Sequence, residues 1–202
     1  MKRGGLVAIV VVAVLLLAVG GCLVGNYNGL VTSKETVDQL WAQVDNQLKR
    51  RNDLIGSLVE TVKGTAIQEQ EVFGQIADAR SRLAGARNPS ESIEAGRAMD
   101  SAIGRLLVVV ENYPQLRSNE AFMQLMDEVA GTENRLSVER MRYNQQVQTY
   151  NVQVKRFPTS LYATMFHFEP AIYYPVPEQE KTAPKVDFGS LRRNAGGADS
   201  TR

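Results

Sequence analysis

A single cysteine, Cys22, stands in the 202 residues, so no disulfide can staple the chain to itself. One histidine, His167, leaves the common multi-histidine metal sites without ligands. Net charge is missing too. The 23 basic and 22 acidic residues sum to +1, which gives no field to recruit nucleic acid. The two signs are interspersed, as on an ordinary solvated helix surface. Proline is absent from the first 88 residues, and the alternating apolar pattern of strands is scarce. There is no phosphate loop, nucleophile elbow or Cys-x-x-Cys. These absences point to an all-α protein with no cofactor and no metal.

What is present starts with an uncharged apolar run of 19 residues, 6–24, preceded by Lys2 and Arg3. That length is about what a helix needs to cross the hydrocarbon core. The positive-inside rule leaves residues 1–5 in the cytoplasm and the rest outside, on a single inner-membrane span. The run ends Val19-Gly20-Gly21-Cys22, which resembles a lipoprotein signal cut before a lipidated Cys22. An uncleaved span with a small cysteine inside it is the favoured alternative. Either way the membrane is the first partner.

Two glycines and two asparagines at 25–29 predict a linker over 25–33. Thr32 followed by Glu35 matches a capping box that would open a helix. A seam then steps by four and three from Val37 through Trp41, Leu48 and Ile55 to Leu83, a period of 3.5 residues. The straight rod would be roughly 80 Å long, with Gly56, Gly64 and Gly74 as points where it could break. Asn88-Pro89-Ser90 ends it, and Ser90 or Ser92 is expected to cap a second helix with its seam at Met99, Ile103 and Leu106. Leu107, Val108 and Val109 make that helix apolar nearly all round, which predicts the most enclosed part of the fold. Tyr113-Pro114 stops it, and Ser118 or Asn119 caps a third helix running from Phe122 to Phe157. The second helix would be only about 33 Å long, so the third would start mid-rod and overshoot the far tip. A break of the first at one of its glycines, giving three to four packed segments, is therefore expected. An unbroken exposed seam would instead demand a homo-oligomer.

Polar residues interrupt the seams. Arg51 and Glu69 in the first helix, and Glu133 and Arg140 in the third, sit where apolar side chains belong. A polar layer that fixes register is preferred to a catalytic site, and between two straight helices the spacing allows at most one pair among the four, or partners elsewhere. Tyr143-Asn144 and Tyr150-Asn151 repeat seven residues apart, which places both pairs on one helix face. Packing with hydroxyls at the edge and bridging amides is preferred there to a ligand groove. The third helix closes at Pro158. From 158 to 188 aromatics alternate with prolines, as in an extended tail laid on the bundle, and 189–202 is small, polar and expected to be disordered.

Several of these stretches resemble the LemA family: Asn26-Tyr27-Asn28, the run VDQLWAQVDNQLKRRNDLIGSLVETVKGT at 37–65, YPQLRSN at 113–119, TENR at 132–135, the paired Tyr-Asn units and Arg156-Phe157-Pro158. Phe166-His167-Phe168 and PKVDF at 184–188 extend the likeness through the tail. Asn52 and Gly56 depart from it, standing where an aromatic and a proline are common. The resemblance implies a bacterial, membrane-anchored long-helix antiparallel bundle over 34–157, without enzyme activity. The expectation is therefore an all-α bundle with an N-terminal membrane anchor and an extended C-terminal tail, acting as a scaffold or protein-interaction module for an unknown protein partner. A direct lipid-binding protein and an enzyme using the polar seam are the alternatives.

Overall fold

A computed structural model of the chain describes residues 2–63 and 69–175. The first element, α1 (Lys2–Lys63), is one continuous helix of 62 residues, roughly 93 Å from end to end. Residues 10–18 are all exposed, and the most apolar 18-residue window of the helix has a mean hydropathy of 2.2 with none of it buried. By length and composition this part can cross a membrane.

The expected linker over 25–33 is helical instead. Glycine costs about 1 kcal/mol in a helix interior, but packing on both sides of the stretch holds it. Tyr27 sits edge-on to Phe166 at 4.9 Å, and Leu30 is buried. The expected capping box is likewise inside the helix, where the Thr36 hydroxyl donates to the Thr32 carbonyl.

The first helix does break, after Lys63. Gly64 lies outside the described residues. α2 (Gln70–Gly85) then doubles back along the end of α1. Gly56 is no hinge: the Arg80 guanidinium lies across it so closely that a Cβ would come within 2.6 Å of a nitrogen. Asn88, rather than either serine, caps α3 (Pro89–Glu111). Its side chain accepts from the Glu91 amide at 2.9 Å, and Glu91 returns a carboxylate oxygen to the Arg87 amide. Pro89 fits the first turn, where no amide hydrogen is needed.

The end of α3 is less enclosed than its composition implied, with Leu107 and Val108 exposed. α3 packs on α2 and presents only one face to it. α4 (Pro114–Arg117) turns the chain into α5 (Glu120–Lys155), capped by Asn119 and antiparallel to α1. The pairs Trp41–Tyr143 and Arg51–Glu133 share one register, ten residues along α1 matching ten back along α5. α5 is 36 residues long, about 54 Å, against about 58 Å for the part of α1 beyond the span. Folding α2 back resolves the mismatch in length. Last come α6 (Thr159–Met165) and an extended segment to residue 175.

The core has two halves. Away from the span, Ile55, Leu58 and Val62 of α1 meet Ile76 of α2, Leu106 of α3 and Phe122 of α5 in a four-helix cluster. Nearer the span, Val37, Val44 and Leu48 meet Leu136, Val147 and Tyr150, and the extended segment supplies a third layer through Tyr174. The predicted seams are the buried faces of α1 and α5, except that Phe157 projects into solvent. α5 ends at Lys155, two residues before it.

Candidate functional site: a polar layer and a peptide-holding ladder

Three of the four polar seam residues meet at the join between the two core halves. Arg51 Nη1 lies 2.5 Å from Asp100 Oδ1 and 2.9 Å from Glu133 Oε2. Glu133 Oε1 accepts from Arg140 Nη1 at 3.1 Å. Both arginine side chains are about nine-tenths buried, while the two carboxylates reach solvent. Two positive and two negative charges make the layer neutral, which a buried ion network requires. The contact of Glu133 Oε2 with Arg51 has ion-pair distance without hydrogen-bond alignment, and the Nε atoms of both arginines find no partner among the described residues.

Glu69 is elsewhere. It precedes α2, with its carboxylate 3.5 Å from the Tyr113 hydroxyl. Asp100 replaces it in the layer. A signal for Asp100 was available: the seam charges near the join were two arginines against one glutamate, and Asp100 is the one acid between Glu94 and Glu111.

Above the layer, Arg140 stacks on the Tyr174 ring, 4.5 Å from its centroid, a cation–π contact that covers the charge's second face. Tyr174 reaches this place because Gly96 has no side chain; a Cβ there would stand 3.3 Å from the tyrosine oxygen. Burial raises the Tyr174 pKa, with Arg140 pulling the other way.

The Tyr-Asn repeat holds the extended segment by its backbone. Asn151 donates to the Ala171 carbonyl at 2.9 Å and accepts from the Ala171 amide at 2.7 Å. Asn144 does the same to Tyr174, both bonds 2.8 Å. Tyr150 donates to the Glu169 carbonyl and Tyr143 to the Ile172 carbonyl, each two residues before the partner of the adjoining asparagine. The two repeats fit because seven helical residues and three extended ones both span about 10 Å. Each repeat unit therefore meets the strap three residues along. Burial, with Asp38 as a second contribution, pushes the Tyr143 hydroxyl up to about 12 and raises Tyr150 as well.

This arrangement can recognise extended backbone and fix a register. It places no nucleophile beside a general base. Among the described residues no group of three His, Cys, Asp or Glu side chains could hold a metal ion. The Cys22 side chain and residues 176–202 lie outside the described set.

The LemA family model matches residues 40–188, a span that includes both the polar layer and the ladder. The chain belongs to the LemA family. Among relatives, magnetosome protein MamQ 2 of Paramagnetospirillum magneticum is 28% identical over 208 residues, covering 90% of this chain and 75% of that protein. Magnetosome protein MamQ of Magnetospirillum gryphiswaldense is 27% identical, covering 86% and 74%. Protein LemA of Metamycoplasma hominis is 22% identical, covering 84% and 77%. Membership in this family and the apolar start of α1 make the chain a membrane-associated member of it.

Proposed function

We propose that this LemA-family protein is a non-enzymatic scaffold, held by one uncleaved span, whose bundle binds another protein outside the cytoplasm. The observation that carries the reading is the continuity of α1. The helix that enters the membrane is the same helix that builds the core, so the bundle is a stiff extension of its anchor. The residues best able to do chemistry support it further. Arg51, Glu133 and Arg140 are spent on one another, and Tyr143, Asn144, Tyr150 and Asn151 on the strap. Lys2 and Arg3 favour a cytoplasmic N-terminus. Two relatives are magnetosome proteins, which suits a component of a larger assembly.

The seam leaves one face of α5 uncovered, where Val138, Met141 and Val152 are each at least 41% exposed. Residues 138 and 152 are two heptads apart, so the three share a stripe suited to a partner helix. Affinity isolation of the full chain from membranes tests this. The wild type should recover a specific protein that Val138→Glu/Met141→Glu does not, with melting temperature unchanged between them. Identical recoveries, or none from either, would count against the scaffold.

A further inference from the structure

The end of the fold nearest the span carries an apolar surface that the scaffold reading does not use. Phe157, Leu161, Met165 and Phe166 are 75, 60, 63 and 50% exposed. Leu161 and Met165 are one turn apart on one face of α6, and Phe157 falls four residues earlier. Water-exposed apolar area costs roughly 25 cal/mol per Å², so clusters of this kind mark a covered surface. Beside them, α6 and α1 enclose a groove of about 280 Å³ lined by Leu23, Val24, Tyr27, Tyr162, Met165 and Phe166.

Two of those wall residues decide what covers it. Leu23 and Val24 are the last residues of the apolar run, so one wall of the groove is the end of the span itself. Tyr27 lies only about 4.5 Å further along the helix axis, and it touches Phe166 and Phe168. The headgroup layer is roughly 5–8 Å deep on each side of the hydrocarbon, so α6 stands within it. The charges agree. Lys155 and Arg156 are exposed where α5 ends, segments 4–33 and 140–168 hold no acidic residue, and one exposed acid, Glu169, follows the second. Tyr27 and Tyr162 sit where interfacial tyrosines are usual.

We propose that Phe157 and α6 form an interfacial foot. Their apolar side chains enter the bilayer that holds α1, and Lys155 and Arg156 meet lipid phosphates. The proposal rests on the membrane-anchor reading and adds a second contact, which fixes the rotation of the bundle about the span.

The single tryptophan supplies a control. Trp41 is 17 residues beyond Val24, about 25 Å above the end of the span. The full chain would be reconstituted in phosphatidylcholine–phosphatidylglycerol vesicles whose acyl chains are brominated near the glycerol end. Leu161→Trp in a Trp41→Phe background should lose most of its emission, and the wild type should lose none. Phe166→Trp in the same background gives a second probe at the same level with less change of shape. If neither variant is quenched more than the wild type, in protein that floats with the vesicles, the foot is overturned and the anchor stands. The foot is equally overturned if both variants escape the bromines but are shielded from acrylamide, since a second copy or another protein would then cover α6. Protein that fails to float would overturn the anchor and the foot together.

Discussion

An asparagine side chain carries the same amide as the backbone, so it can pair with a peptide group as one strand pairs with another. Asn144 and Asn151 do this to Tyr174 and Ala171, while two tyrosine hydroxyls donate to the carbonyls of Ile172 and Glu169. The hydroxyl protons thereby become part of the fold. Tyr143 has its folded pKa raised from 10.0 to about 12. Its contribution is present in full below the unfolded value and is lost as pH rises from about 10 towards 12. Denaturant midpoints should fall across that window in the wild type. Tyr143→Phe should start about 1 kcal/mol lower, for one lost hydrogen bond, and fall less steeply. Parallel curves would contradict the assignment. The sequence showed that the Tyr-Asn pairs share a face, but not what they hold. Peptide groups of the strap have no side-chain signature, so the match of seven helical residues to three extended ones was invisible until the strap was in place.

The seams of α1, α2 and α5 were readable in advance, because burial along two packed helices repeats every seven residues whatever the neighbours are. Events at helix ends were not. The glycines and asparagines at 25–29 favour a turn locally, yet contacts from Thr159 of α6 and from Phe166 just after it, more than a hundred residues away in sequence, keep α1 whole. The outward face of Leu107 and Val108 has the same origin: an apolar run states that burial is available, not that a neighbour will arrive. The strap depends on such distant contacts entirely. Asn144→Ala with Asn151→Ala should speed hydrogen exchange at the amides of Ala171 and Tyr174 by orders of magnitude, while amides in the middle of α5 keep their protection. Equal protection at all of these sites would mean that the strap is held by something other than the ladder.

On the scale of the molecule, the polar layer joins a four-helix head to a shaft of α1 and α5 dressed by the strap, with Leu83, Ile93 and Ala95 of α2 and α3 packed into the shaft's core. From Val24 to Lys63 α1 rises roughly 60 Å. Neutron reflectometry on the chain in a supported bilayer should find a protein layer of about that thickness on one side. A layer half as thick would mean that the shaft lies down or bends.

A helix that passes from lipid to protein without a joint has no means of forgetting its angle. Spans tilt to match their hydrophobic length to the bilayer, often by about 20°. A change of about 10° at the membrane would swing a head about 60 Å away sideways by roughly 10 Å. On the membrane-anchor reading, a change of bilayer thickness would thereby become a lateral displacement of the head.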